Sequence, residues 1–138
     1  MYTAAPLNPD RNVTMDPRPR LLLVDDSPVA LSFLSAVLQG TYDVETAGDG
    51  EDAISKATAT VPDLIVTDSL MPNVDGFDLI RRLRASQATA SIPIVMLTSS
   101  DLADDEIRLR TPQPNAIVRK STSIEPLLEQ VAKLLLAK

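Results

Sequence analysis

Residues 21–28 read Leu-Leu-Leu-Val-Asp-Asp-Ser-Pro, and this stretch decides the fold. Its four apolar residues predict a strand that is buried on both sides, because a half-exposed strand alternates apolar and polar residues. Ser27 is a favoured helix N-cap and Pro28 a favoured first helical residue, so a helix is predicted from there to about Gly40. The stretch therefore predicts a buried strand that ends on two adjacent carboxylates, directly before a helix.

The same order, an apolar run followed by a stretch of helical period, occurs five times from residue 20 onward. Residues 42–47 alternate polar and apolar, which predicts an edge strand. The predicted strands are residues 21–24, 42–47, 64–67, 92–97 and 116–118, and the predicted helices are residues 28–40, a segment after residue 50, 75–84, 101–110 and 124–135. Strands of continuous Leu, Ile and Val, each followed by a helix, predict a parallel sheet covered on both faces. We therefore expect a doubly wound (βα)5 α/β fold.

Composition excludes several classes of function. The chain has 138 residues, which suits one domain with a single core. Its net charge of -6 repels nucleic-acid phosphates, so no nucleic-acid partner is expected. The absence of Cys and His excludes disulfides, His/Cys zinc sites and a Ser-His triad. No apolar run has the length of a membrane helix and no signal peptide is recognisable, which predicts a cytoplasmic protein with no membrane partner.

The N-terminal segment differs from the rest of the chain. It contains four of the 11 prolines and shows no apolar periodicity. We therefore predict a disordered extension over residues 1–19 and one folded domain over residues 20–138. Met15 lies just before the folded part, so it is a candidate start residue alongside Met1.

Polar side chains follow four of the five predicted strands. Their residues are Asp25 and Asp26 after the first strand, Asp68 after the third, Thr98 after the fourth and Lys120 after the fifth. Taken singly, each has an ordinary explanation, helix capping for the Asp pair and a commonplace position for Thr98 and Lys120, but open parallel sheets bind ligands beyond the carboxyl ends of their strands. Three carboxylates and one ammonium sum to -2, a charge that a divalent cation would neutralise, and all-oxygen ligands favour Mg²⁺. This combination suits phosphoryl transfer to a carboxylate.

At these positions the sequence resembles the receiver domains of two-component response regulators. The matching motifs are Leu-Leu-Val-Asp-Asp-Ser at 22–27, Pro-Asp-Leu-Ile-Val-Thr-Asp at 62–68, Met-Pro-Asn-Val-Asp-Gly at 71–76, Ile-Pro-Ile-Val-Met-Leu-Thr-Ser at 92–99, and Lys120. The resemblance spans about residues 20–138, and the motifs keep their order and spacing. It implies a flavodoxin-like sheet with strand order 2-1-3-4-5.

The resemblance also implies roles for the acidic residues. Asp68 would be the phosphoacceptor and would take a phosphoryl group from a phosphohistidine. Asp26 and Asp68 would bind Mg²⁺ directly together with the backbone carbonyl of Leu70, and Asp25 would contribute mainly through water. Gly76 would permit a loop conformation that a Cβ resists.

Two further residues complete the implied site, and three features depart from the family pattern. Thr98 would hydrogen-bond one phosphoryl oxygen, and Lys120 would pair with another. Ser121 stands where the family usually has Pro. Ile117 stands where the family commonly has an aromatic residue whose ring switches rotamer, and an aliphatic side chain has no comparable ring. Prolines within residues 111–114 predict a shortened fourth helix.

These observations predict a stand-alone receiver domain. Its phosphodonor would be a sensor histidine kinase or a histidine phosphotransfer protein, and its output would pass through a downstream target protein or onward transfer of the phosphoryl group. The oligomeric state is left open, because the altered region lies on the face that often forms dimers.

Two alternatives are weighed against this interpretation. The first is an atypical, non-switching receiver that acts as a protein-interaction module, motivated by Ile117, Ser121 and residues 111–114. The second is an enzyme that acts on small molecules. Such enzymes need a second acid two residues after the nucleophile, where this chain has Leu70, so we expect no enzyme.

Overall fold

The computed structural model describes residues 17–71, 74–99, 111–120 and 123–137. Its strands are β1 (Arg20–Val24), β2 (Asp43–Ala47), β3 (Leu64–Asp68), β4 (Ile94–Thr98) and β5 (Ala116–Arg119). These strands form one sheet in the order β2-β1-β3-β4-β5, and every neighbouring pair is parallel. The predicted doubly wound fold and its strand order are confirmed.

Three of the described helices begin after a residue whose side chain caps the first turn, whereas the C-terminal helix has no side-chain cap. Those in the described part of the chain are α1 (Pro28–Leu38), α2 (Gly50–Thr60), α3 (Gly76–Ala85) and a C-terminal helix (Glu125–Leu136). Before α1, the Ser27 hydroxyl accepts a hydrogen bond from the Ala30 N–H at 3.2 Å. Before α2 and α3, the carboxylates of Asp49 and Asp75 accept from the N–H three residues further on. Each cap satisfies a backbone donor that the helix itself leaves unpaired.

Both faces of the sheet are packed against helices. Along β1, Leu22 and Val24 join an apolar cluster with residues of α2 and α3, whereas Leu21 and Leu23 join a second cluster with residues of α1 and the C-terminal helix. This alternation is the two-residue period of a strand with apolar side chains on both faces. The edge strand β2 is mostly half-buried, as its alternating sequence predicts.

The strand boundaries differ from prediction in a way that affects the site. β4 begins at Ile94 rather than at residue 92, and Pro93 before it has no N–H to donate to a ladder. β3, β4 and β5 each continue one residue further than predicted, to Asp68, Thr98 and Arg119. The backbones of Asp68 and Thr98 are therefore fixed by the sheet register, opposite Leu97 and Arg119.

Several predictions lie outside the described residues. They concern most of the N-terminal extension, the fourth helix at 101–110, and Ser121. Among the helices that the structure describes, none is long and apolar enough to cross a membrane.

Candidate phosphoryl-transfer and metal site

Three carboxylates meet at the carboxyl ends of β1 and β3. One oxygen each from Asp25, Asp26 and Asp68 lies within 4.8 Å of the others. Asp25 and Asp68 are buried, and Asp26 is exposed. The sequence prediction that these residues lie together is therefore confirmed in the structure.

Asp25 is held in place by the turn that follows it. Its Oδ1 accepts a hydrogen bond from the Ser27 N–H at 2.9 Å. Burial is the largest cause of the raised pKa of Asp25; the Ser27 N–H opposes it, Asp68 adds to the rise, and Lys120 lowers it. The folded protein therefore carries this negative charge at an energetic cost, which a bound cation would offset.

Lys120 brings positive charge to the carboxylates. Its Nζ lies 2.9 Å from Asp68 Oδ1, and 44% of the Lys120 side chain is exposed. The Lys120 N–H donates to the Thr98 carbonyl at 2.7 Å, which anchors the residue just beyond β5. The Lys120 ammonium thus contacts the Asp68 carboxylate, and the Lys120 side chain is still partly accessible to a ligand.

Thr98 is completely buried beside this group. Its Oγ1 accepts a hydrogen bond from Ser69 Oγ at 3.3 Å and donates to the Ser99 carbonyl at 3.3 Å. The Ser99 carbonyl also accepts from an Arg119 guanidinium nitrogen at 3.1 Å. The Ser69 contact joins residues 29 apart in the chain, and no local pattern in the sequence predicts it.

The main chain after Asp68 passes very close to the start of α3. A Cβ added to Gly76 would lie 2.4 Å from the Asp68 carbonyl oxygen, and Gly76 has no positive φ. The expectation that glycine serves a special loop conformation here is therefore wrong. Glycine is required at position 76 for lack of space, because the backbone at the start of α3 packs directly against the backbone of Asp68.

The remaining predicted positions lie around this group. Leu70, two residues after Asp68, is 58% exposed. Ile117 is partly buried and packs against the apolar cluster that α2 and α3 share with the sheet. The hydroxyl of Ser99 is buried and has no hydrogen-bond partner within the described residues.

A cleft opens next to the carboxylates, between α1, β5 and the C-terminal helix. Its volume is about 210 Å³, and both Asp25 and Lys120 line it. Apolar side chains cover most of its remaining wall, among them Phe33, Leu34 and Ile124. The acidic site is thus continuous with an apolar groove.

A doubly wound domain with carboxylates, a hydroxyl and an ammonium at this edge has the groups that phosphoryl transfer to a carboxylate requires. The family model for the response regulator receiver domain matches residues 21–132. The chain belongs to this family of two-component signalling domains, as the sequence predicts.

Curated relatives are longer proteins of the same signalling systems. The gliding motility regulatory protein of Myxococcus xanthus is 39% identical over 129 residues, which cover 90% of this chain and 17% of the relative. The hybrid signal transduction histidine kinase D of Dictyostelium discoideum is 37% identical, over 88% of this chain and 8% of the relative. The chain therefore spans less than a fifth of the length of either relative.

Solved structures of receiver domains share this fold. The receiver domain of a signal transduction histidine kinase from Syntrophus aciditrophicus has a TM-score of 0.79 and 31% identity, covering 86% of this chain and 91% of that one. A sensor histidine kinase receiver domain from Pseudomonas aeruginosa, with a TM-score of 0.77 and 27% identity, covers 86% of this chain and 98% of that one. The latter has a magnesium ion coordinated in its active-site cleft.

Proposed function

We propose that Asp68 is the residue that accepts the phosphoryl group. The observation that carries the proposal is the ion pair of Asp68 with Lys120 at 2.9 Å, inside a cluster that also contains Asp25 and Asp26. Asp68 is the last residue of a central strand, so its carboxylate is held at the edge where parallel sheets bind ligands. No other carboxylate of the cluster has an ammonium partner at this distance among the described residues.

The proposed donor is a phosphohistidine, which must lie outside these 138 residues because they contain no His. An oxygen of the Asp68 carboxylate bonds to phosphorus as the bond from phosphorus to the imidazole nitrogen breaks. The electron pair of that bond remains on the imidazole, which takes up a proton from water. Lys120 and Thr98 then bind oxygens of the transferred group, which offsets its negative charge.

The carboxylate cluster fits a hard divalent cation. The three carboxylate oxygens lie within 4.8 Å of one another, a limit close to the roughly 4.2 Å that two oxygen ligands of one Mg²⁺ can span. Asp26, Asp68 and the Leu70 carbonyl would hold the ion directly, and Asp25 would hold it mainly through water. When bound, Mg²⁺ supplies positive charge that offsets the charge on the phosphoryl oxygens.

We also propose that the chain does not process small molecules. An aspartyl-phosphate enzyme of that kind needs a second acid close to the nucleophile. Leu70 occupies the corresponding position, and its apolar side chain extends into solvent. It supplies no proton donor, which supports a signalling role and makes slow loss of the phosphoryl group the expected behaviour.

The proposal is tested by following phosphoryl uptake with intact mass spectrometry. Incubation with a small acyl phosphate and Mg²⁺ is expected to add one phosphoryl group, and EDTA is expected to prevent it. Borohydride reduces an aspartyl phosphate to homoserine, and the tryptic peptide 57–81 contains Asp68 and three other aspartates. Fragmentation of that peptide is expected to place the modification at residue 68. Modification elsewhere, or uptake that is insensitive to EDTA, refutes the assignment.

The protein donor is proposed to dock on α1 beside the cleft. Phe33 and Val29 lie one helical turn apart on α1 and are 57% and 79% exposed. Phe33 also lines the cleft that contains Asp25 and Lys120. A donor must bring its phosphohistidine to Asp68, so its contact surface has to adjoin this edge, and α1 offers an exposed apolar face there. A sensor histidine kinase or a histidine phosphotransfer protein suits this role.

Substitution of Phe33 separates docking from chemistry. We expect Phe33→Ala to slow phosphoryl transfer from a phosphohistidine protein by about tenfold, the typical cost of losing a buried aromatic contact in an interface. Uptake from the small acyl phosphate should be unchanged, because Phe33 does not contact the carboxylates through any described hydrogen bond or ion pair. Leu136→Ala is the control: Leu136 is 85% exposed, but it lies at the far end of the C-terminal helix. Equal effects of the two substitutions would contradict docking on α1.

A further inference from the structure

A short series of hydroxyl groups lies behind the carboxylates. Ser69 Oγ donates to Thr98 Oγ1, which donates in turn to the Ser99 carbonyl, and both distances are 3.3 Å. Ser69 is 1% exposed and Thr98 0%. Burial of this degree leaves few alternative partners, so each hydroxyl depends on its neighbour.

The main chain of Ser69 is fixed on both sides. Its N–H donates to the Leu97 carbonyl at 2.9 Å, and its carbonyl accepts from the Gly76 N–H at 3.0 Å. The residue is thus anchored between β4 and the start of α3. Because its backbone is held on both sides, the Ser69 hydroxyl can change position only by rotation about χ1, and burial restricts that rotation.

The contact between the Ser69 and Thr98 hydroxyls determines where the single Thr98 hydroxyl proton can be donated. A hydroxyl has one proton to donate and two positions at which it can accept. Ser69 occupies one acceptor position of Thr98, which directs the Thr98 proton away from Ser69. That proton is donated to the Ser99 carbonyl at 3.3 Å, and this bond and the one from Ser69 are both longer than the usual O–H···O distance of about 2.7–2.8 Å. A charged phosphoryl oxygen is a stronger acceptor than a neutral carbonyl and would take the Thr98 proton from Ser99.

The side chain at position 117 supplies no ring that could respond to Thr98. Ile117 is aliphatic and packs against the apolar cluster that α2 and α3 share with the sheet. Ser69 is therefore the side chain that the structure shows in polar contact with the Thr98 hydroxyl.

We propose that Ser69 is a positioning residue for Thr98: its hydroxyl occupies one acceptor position of Thr98 and thereby directs the Thr98 proton to the incoming phosphoryl group. This inference rests on the proposed function, because it assigns Ser69 to the same phosphoryl site. It goes beyond that function by making the residue directly after Asp68 act through a residue on the neighbouring strand.

The test is a double-mutant cycle that measures binding of beryllofluoride, a phosphoryl mimic, by calorimetry in Mg²⁺. Ser69→Ala is expected to weaken binding about fivefold, the usual effect of losing one hydrogen bond. In a Thr98→Val background the same substitution is expected to change affinity less than about twofold, because the hydroxyl through which Ser69 acts is gone. The Thr98 methyl resonance should also shift in Ser69→Ala before any ligand is added.

Ser99→Ala is the matched control. Its hydroxyl is buried one residue beyond Thr98 and has no partner within the described residues, so its removal should leave affinity unchanged. If Ser69→Ala is poorly folded, Ser69→Cys, which keeps a weak donor, should give an intermediate affinity. Independent, additive effects of Ser69→Ala and Thr98→Val overturn the positioning role alone. Failure of the unmodified protein to bind beryllofluoride overturns the proposed function as well.

Discussion

Asp68→Asn is expected to abolish phosphoryl uptake. The amide has the size of the carboxylate and keeps an oxygen for Lys120, which lies 2.9 Å from Asp68 Oδ1. An uncharged amide oxygen is not a competent nucleophile, so uptake from the small acyl phosphate should fall by more than about 100-fold. Intact mass spectrometry under the conditions that modify the unsubstituted protein measures the loss.

The same substitution should leave the metal-free fold nearly unchanged. Lys120 is 44% exposed, and an ion pair with that much solvent contributes at most about 1 kcal/mol. Removing the charge of Asp68 also relieves its repulsion of Asp25, which acts in the opposite direction. The rise in unfolding midpoint on adding Mg²⁺ should shrink, however, because a ligand of the ion loses its charge.

Asp49→Asn provides the control for this prediction. It makes the same chemical change at the residue that caps α2, where Asn is as good an N-cap as Asp. Uptake by this variant should match that of the unsubstituted protein. Persistent uptake by Asp68→Asn would show that another residue accepts the phosphoryl group.

Much of this fold is predictable because its signals are local. Ser27 and Pro28 determine the start of α1 through contacts within one turn, and the structure shows that cap directly. The apolar run 21–24 requires cover on both faces, which helices on both sides of a parallel sheet provide. The location of Asp25, Asp26 and Asp68 at one edge follows from the same topology, since the carboxyl ends of parallel strands all lie there.

Side-chain contacts across the sheet are less predictable. The strand order makes Ser69 and Thr98 neighbours, but the hydrogen bond between them depends on rotamers and on the exact end of each strand. Both strands end one residue later than predicted, because the backbone groups of Asp68 and Thr98 continue the ladder whatever their side chains are. Sequence patterns therefore identify the site residues, whereas the contacts that orient them require the structure.

Gly76 illustrates the same limit and leads to the second large effect. Gly76→Ala is expected to lower the free energy of unfolding by about 3 kcal/mol, the upper range for forcing an added methyl group into a packed interior. The new Cβ would lie 2.4 Å from the Asp68 carbonyl and 3.0 Å from Ser69 Cα, which are backbone atoms. No side-chain rotation relieves these contacts, so either α3 or the end of β3 must move. Urea unfolding measures the loss.

Gly48→Ala makes the comparison quantitative. Nothing lies within 4 Å of a Cβ at Gly48, and neither glycine has a positive φ, so the two substitutions differ strongly in the space available to the added methyl group. Gly48→Ala should change stability by less than about 1 kcal/mol and should if anything stabilise, because alanine restricts the unfolded chain. Equal stability of the two variants would mean that α3 does not approach Asp68 as closely as the structure shows. A large loss at Gly76 alone, accompanied by slower phosphoryl uptake in the folded fraction, would show that this backbone contact holds the acceptor carboxylate in place.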